Sequence, residues 1–268
     1  MLCCDPFTVA DIPPLLLLAE GEGWLCDRRE FEFLLQTFPH GCFVCREEGN
    51  PLGYVTSISY GRSGWIGNLM VHPEARRLGI GKELMLAAIS ALQRNGVATV
   101  WLTASEQGAG LYRKLGFVAI DRIDRWVGRA APNRAVKAAP FEIELLRAVD
   151  RVGWGDWREA LLRVTCSRGL LHTSSSGFLC CQNWRVGTQI GPWGSLTGTQ
   201  AGQLLDQALA PGDENIFLDV PAGNLAAPSL LSKRGFAIQG NNILMYLGDD
   251  PRYHPGNIYA LASMGSMG

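Results

Sequence analysis

The chain lacks an excess of charge of either sign: 25 acidic against 24 basic residues leave a formal net charge of −1. A surface so balanced offers no general attraction to nucleic acid or to an anionic membrane. Long apolar runs are missing too. Ile12 to Ala19 is short, contains Pro13 and Pro14 and has no basic lead-in, so it reads as neither a signal peptide nor a membrane span. Metal motifs are also absent. Cys42-x-x-Cys45 has no second Cys-x-x-Cys and no paired histidines to complete a site. It lies in a strand-like run, CFVC, where residues three apart face opposite sides. No metal is expected, and the eight cysteines read as reduced, buried thiols of a cytoplasmic protein. Two phosphate-binding loops are excluded by counting. A Walker loop needs Gly where Arg76 stands and Ser or Thr where Glu83 stands. A dinucleotide fingerprint needs a third glycine where Leu84 stands.

What is present is ordinary globular composition, 268 residues with 47% hydrophobic and 18% charged, enough for one large domain or two of about 130 residues. The most informative stretch is VHPEARRLGIGKEL, residues 71–84. Upstream, Trp65 to Val71 is apolar and partly β-branched, a strand that Pro73 stops. Downstream, Leu84, Met85, Ala88, Ile89 and Leu92 recur at helical spacing. The unit is strand, Gly/Arg turn, helix. A helix start leaves N–H groups unpaired, glycine lets an anion approach them, and Arg76, Arg77 and Lys82 add positive charge. The turn suits a phosphate or pyrophosphate; an ordinary capped turn with solvated arginines is the competing reading.

Residues 127–140, VGRAAPNRAVKAAP, read as a linker. On either side the order strand, helix, strand, helix, Gly-Phe strand recurs. WIGNLMV (65–71) matches QIGPWGS (189–195), helix 78–94 matches 198–210, and 100–117 matches 216–236. FEIELLR (141–147) and NIYALAS (257–263) read as strands. The alternation argues an α/β architecture with some parallel pairing.

Two segments carry a resemblance to a known family. Val71-His72-Pro73-Glu74-Ala75-Arg76-Arg77-Leu78-Gly79-Ile80-Gly81 resembles the acetyl-CoA loop of the GNAT (GCN5-related) N-acetyltransferases. Leu111-Tyr112-Arg113-Lys114-Leu115-Gly116-Phe117 resembles that family's second landmark, at the usual spacing. The second half resembles a degenerate repeat, as in tandem GNAT proteins: Gly194-Ser195-Leu196-Thr197-Gly198 has glycines but no arginine. The resemblance implies two tandem α/β domains, each a mixed, mostly antiparallel sheet flanked by helices. Residues 1–137 would be the catalytic domain, and residues 138–268 a degenerate one lining the acceptor cleft.

It also implies one acetyl-CoA, bound in the first half by Leu69, Met70, Val71, Arg76, Arg77, Leu78, Gly79, Ile80, Gly81 and Lys82. Thr103 to Gly108 resembles a threonine–glycine variant of a further family segment, adding Ser105 and Gly108. Acetyl would pass directly from thioester to a primary amine, small-molecule or peptide, in a ternary complex. Tyr112 matches the family's general acid for the leaving thiolate. Trp24 and Phe31, in the region that forms the acceptor wall in that family, are candidates to line the acceptor pocket, and Asn68 is a candidate to position water or substrate. The base is not evident: Glu20, Glu22 and Glu106 are candidates, and the strand 65–71 has no carboxylate. A non-catalytic acetyl-CoA sensor is the alternative. The acceptor's identity is open, as is the choice between monomer and homodimer.

Overall fold

The computed structural model describes residues 3–268. They form two compact units: residues 3–102 with Gly265–Met267, and Thr103–Met264 with Gly268.

In the first unit, β1 (Cys3–Pro6) leads through a short turn into α1 (Ile12–Gly21) and α2 (Arg28–Thr37), followed by β2 (Phe43–Glu47), β3 (Asn50–Ser59), β4 (Ser63–Val71), α3 (Ile80–Arg94) and β5 (Thr99–Ala104). The sheet runs in order β1-β2-β3-β4-β5. Its first three pairings are antiparallel, and β4 pairs β5 in parallel because α3 crosses between them. Proline at the second residue of α1 costs no helix bond there. α2 is capped by Asp27, whose carboxylate accepts from the Arg29 N–H at 2.8 Å. α3 buries Ile80, Leu84, Met85, Ala88, Ile89, Ala91 and Leu92, the stripe its three- and four-residue spacing predicts. No helix is long and apolar enough to cross a membrane among the described residues.

The second unit begins with α4 (Glu106–Lys114) and β6 (Val118–Pro132). After residues 133–142 come α5 (Ile143–Trp154), α6 (Glu159–Cys166), β7 (Leu170–Ser174), β8 (Gly177–Trp184), β9 (Gly187–Ser195), α7 (Gly198–Ala208), β10 (Leu209–Pro221), α8 (Ala227–Ser232), β11 (Ala237–Gly248) and the short β12 (Ile258–Ala260). Strand order is β11-β6-β10-β9-β8-β7, with β12 on β9. The pairings of β6 with β10 and β11 are antiparallel, and β9–β10 is parallel. Its core gathers Trp126, Leu179, Ile190, Trp193, Leu204, Leu218, Phe236 and Tyr259.

Two expectations are corrected. FEIELLR is helical: Ile143 opens α5, which buries Leu146, Val149, Asp150, Gly153 and Trp154. Those positions are three and four apart, and the helical face outweighs the β-leaning Phe-Glu-Ile start. The linker is shorter than 127–140, because Val127 to Pro132 finish β6, paired with β10 through Phe217↔Val127 to Leu209↔Pro132. Alanine-rich composition hid a strand whose stability comes from its neighbours.

Candidate functional site

In the first unit the candidate residues start at β4. Its ladder with β5 consists of Ser63↔Thr99, Gly64↔Val100 and Trp65↔Trp101, and beyond Trp65 β4 has no further β5 partner. On its other side β4 stays paired to β3, Gly67 opposite Thr56 and Met70 opposite Tyr54, with a register shift between. Asn68 is the extra residue there. Its φ of +52° is unusual for a residue with a Cβ and identifies a bulge that re-aims the strand. Leu69, Met70 and Val71 therefore follow a kink on a strand edge freed from β5. Met70 faces the core at 4% exposed, while Leu69 and Val71 are half-buried.

The turn after β4 carries two left-handed residues, Arg77 at φ +68° and Gly79 at φ +85°. Gly79 is the N-cap of α3, and no side chain caps that end. The Lys82 and Glu83 N–H groups both turn back to the Gly79 carbonyl, at 3.0 and 3.2 Å. The N–H groups of Ile80 and Gly81 precede them and have no acceptor inside the helix. A Cβ placed on Gly79 would meet nothing within 4 Å, so space is open beside the N–H groups. Arg76, Arg77, Leu78, Gly79 and Lys82 are exposed, and Ile80 is buried as the turn's anchor. Arg76 is not wholly free: its guanidinium pairs with Glu22 at 2.6 Å and donates to the Val71 carbonyl at 3.2 Å. Uncapped N–H groups, open space and cations suit a polyanion such as a pyrophosphate.

Of the remaining first-unit candidates, Trp24 is 43% exposed and Phe31 fully buried. Phe31 packs 6.3 Å from the Phe7 ring, a core role. Glu20 is exposed, and Glu22 is taken by Arg76.

Asn68 sits in a cluster that the sequence did not reveal. Its Nδ2 donates to Thr56 Oγ1 at 3.0 Å. Its backbone N–H donates to the Gly265 carbonyl at 3.1 Å. The Glu30 carboxyl is hydrogen-bonded to the side chains of Ser266 and Asn68, and it titrates near 7 because burial penalises its charge, with a further push from Asp27. Gly67 has no room for a side chain, since a Cβ would run into the backbone of Gly265 and Ser266. The Tyr60 hydroxyl donates to the Met267 carbonyl. One signal for Glu30 was available. It lies on the stripe of α2 that buries Phe31, Phe33 and Leu34, where a carboxylate is out of place. Nothing local points to Ser266.

The second unit holds Ser105, Gly108 and Tyr112. Ser105 caps α4, accepting from the Gly108 N–H at 3.2 Å. Gly108 lies beside the Tyr112 ring: a Cβ there would come within 3.2 Å of a ring carbon. The Tyr112 ring also packs edge-on to Phe117, centroids 6.1 Å apart. Burial pushes its hydroxyl up to about 12, so it stays protonated at neutral pH, as a proton donor must. Glu106 is exposed.

The second unit's own strand–turn–helix is built differently. Thr197 caps α7 with its side chain, accepting from the Gln200 N–H at 3.3 Å. The region between β9 and β10 is filled by the chain itself: β12 pairs β9 through Ile258↔Gly194 and Ala260↔Trp193, and the Leu261 N–H donates to the Asp219 carbonyl at 2.9 Å. Among the described residues no group of three His, Cys, Asp or Glu could hold a metal. Cys4, Cys26, Cys42, Cys45, Cys166, Cys180 and Cys181 are free thiols. Burial pushes the Cys42 thiol up to about 12, which leaves it unreactive.

Comparison with known proteins gives these features a context. Residues 14–117 match the pattern of the Acetyltransferase (GNAT) family, and residues 146–260 that of an Acetyltransferase (GNAT) domain. The uncharacterized N-acetyltransferase YitH of Bacillus subtilis is 23% identical over 269 residues, 93% of this chain and 93% of the relative. An uncharacterized N-acetyltransferase of Methanocaldococcus jannaschii is 28% identical over 107 residues, 36% of this chain and 47% of the relative, so that match spans about half the relative's length. A solved Pyrococcus horikoshii chain, whose designation as an acetyltransferase is itself provisional, superposes with a TM-score of 0.83 at 23% identity, covering 99% of this chain and 95% of that one. A GCN5-related N-acetyltransferase from Sphaerobacter thermophilus gives a TM-score of 0.61 at 16% identity, covering 97% and 98%. At these identities the solved structures speak for the fold alone. With a family match in each half, the chain belongs to the GNAT acetyltransferases, a family that uses acetyl-CoA, and carries two such domains in tandem.

Proposed function

We propose that this protein is an acetyl-CoA-dependent N-acetyltransferase that passes acetyl directly to a primary amine, with one acetyl-CoA per chain. The carrying observation is the first unit's turn: Arg77 and Gly79 left-handed, α3 uncapped, and open space beside its first N–H groups. Leu78 to Lys82 would hold the pyrophosphate by backbone N–H groups, with Arg76, Arg77 and Lys82 adding charge. The edge of Leu69, Met70 and Val71 would pair with the amides of the pantetheine arm. An N–H on that edge would polarise the thioester carbonyl and steady the oxyanion that forms on attack. Tyr112 is the proposed proton donor to the departing thiolate. The duplication is proposed to join near residue 137. Support for a single cofactor comes from the second unit, whose corresponding turn lacks arginine, is capped by Thr197, and has its slot filled by β12.

The test is acetyl-CoA turnover with a panel of primary amines, followed by release of free thiol. Amine-dependent thiol release supports the enzyme. Tight CoA binding with no turnover on any amine would favour the sensor reading instead.

A further inference from the structure

Amine acetylation needs a group that takes a proton from the acceptor, and none of the carboxylates that the sequence offered occupies a suitable place. Glu20 and Glu106 are exposed, and Glu22 is paired to Arg76. Buried carboxylates are few. In the first unit they are Asp11 and Glu30. Asp11 is neutralised by Arg46 and bonded to Thr8. In the second unit Asp124, Asp150 and Asp219 each face an arginine, and Asp156 accepts from the Trp157 N–H at 2.8 Å. Glu30 differs. It is 8% exposed, its hydrogen-bond partners Asn68 and Ser266 are neutral, and among the described residues no ion pair to it is present.

Its position matters as much as its environment. Asn68 is the bulge residue of β4, beyond the last β4–β5 pair, Trp65↔Trp101. Leu69, the next residue, begins the edge assigned above to the acyl donor. A buried carboxylate without a cation is costly, and folds retain such groups where a cation is to be received. Burying one merely to fasten Ser266 would be a poor use of a charge, because a glutamine could make the same bonds.

We propose that Glu30 is the acceptor-binding carboxylate and general base of this acetyltransferase, receiving the substrate's ammonium beside Asn68 and Ser266 and removing its proton. The inference rests on the acetyltransferase reading. The ammonium loses one proton to the carboxylate and becomes a neutral amine. Its lone pair forms the C–N bond to the thioester carbon. The C–S bond then breaks, with its electron pair on sulfur. The second proton shed by nitrogen ends on the thiol, and the proton on Glu30 leaves to solvent, so one proton is released per turnover. A carboxylate titrating near 7 is suited to the task, because it is basic enough to accept the proton yet largely ionised just above neutrality. The titratable groups that bear on it are Asp27 at the cap of α2 and Cys26, whose thiol feels the Glu30 charge. The groups bonded to it from β4 and from the 265–267 segment are uncharged.

The experiment compares wild type, Glu30→Gln and Glu30→Asp, using acetyl-CoA with benzylamine, glycinamide and a lysine-containing hexapeptide as acceptors. It reads kcat/KM from pH 5.5 to 9, CoA affinity and thermal stability. The expected result is an acid limb near pH 7 in wild-type kcat/KM and a loss of about 10²-fold or more in Glu30→Gln, with that limb gone. CoA affinity should be unchanged and activity partly restored in Glu30→Asp. Glu30→Gln with kcat/KM within about threefold of wild type and the same acid limb would overturn the base assignment while leaving the acetyltransferase reading intact. A variant that loses only thermal stability would assign Glu30 to fastening residues 265–267, and also overturns it. A wild type that acetylates none of the amines removes the enzyme reading, and this role with it.

Discussion

Two strand–turn–helix units in one chain share a plan and diverge at the turn. After β4 the chain uses Arg76, Arg77 and Gly79, leaves α3 uncapped and keeps open space beside its N–H groups. After β9 it uses Ser195, Leu196 and Thr197, caps α7 with the Thr197 side chain and seals the neighbouring gap with β12. A helix start must satisfy its N–H groups somehow. The second unit meets part of that need with its own Thr197 side chain, which stabilises the fold. The first leaves its helix start without a side-chain cap, which is why the single proposed cofactor is assigned there. On that proposal, a capping hydroxyl and a strand returning into the slot are what set the second unit apart.

The sharpest way to break this contrast is to obstruct the open turn. Gly81→Val puts a branched side chain where the pyrophosphate would approach, and CoA affinity should fall by at least about 10²-fold, as loss of one or two charge-assisted bonds implies. Calorimetry on the folded variant that shows unchanged affinity would remove the loop assignment. In the filled slot the same kind of change should act on stability instead. Gly191 has φ +145° and a Cβ there would strike the Leu261 carbonyl, so Gly191→Ala should cost about 3 kcal/mol of unfolding free energy without touching CoA affinity per folded molecule. Denaturant titration checks the first half of that statement and calorimetry the second.

Tyr112→Phe keeps the ring that Gly108 and Phe117 pack against and removes the hydroxyl. We expect kcat to fall about 10²-fold with little change in CoA affinity; a near-native kcat in steady-state assays would return Tyr112 to packing.

Glu30 offers a stability test independent of turnover. Its folded pKa of about 7 stands above the 4.5 of an ordinary glutamate carboxyl, so the native state holds a proton that the unfolded chain gives up in that window. Stability from this group is complete below about pH 4.5, falls as pH rises, and is lost above about pH 7. Glu30→Gln should therefore be more stable than wild type at pH 8, by about 3 kcal/mol, and the gap should close by pH 4.5. A pH-independent difference in melting temperature would contradict the burial-driven titration.

The smallest effect concerns Arg76. Releasing it with Glu22→Gln should tighten CoA binding no more than about threefold, since the pair it leaves is half exposed and such pairs contribute little. A loss of CoA affinity in the same titration would mean that Glu22 positions the guanidinium rather than competing for it.

The sequence by itself determined the elements whose cause is local. The β4–turn–α3 unit was legible because a proline stop, two glycines and a helical stripe are each short-range signals; α3 begins at Ile80, two residues later than the expected 78, because Gly79 is left-handed. The tandem arrangement was legible because the order of elements repeats. The strand assigned to FEIELLR was not, because Ile143 and Leu146 suit either state and only their packing face chooses helix. The Glu30 cluster was out of reach for a related reason. Its carboxyl meets Asn68 and Ser266, residues far apart in the chain, and such a meeting depends on how the backbone returns rather than on any local preference. The filled slot of the second unit belongs to the same class: β12 reads as a short apolar run and acquires its meaning from Gly194 and Trp193 beside it. Periodicity and turn chemistry act within a few residues and could be read directly. Burial, and with it the charge state of Glu30, is set by everything packed around a group, so only the tertiary structure decided it.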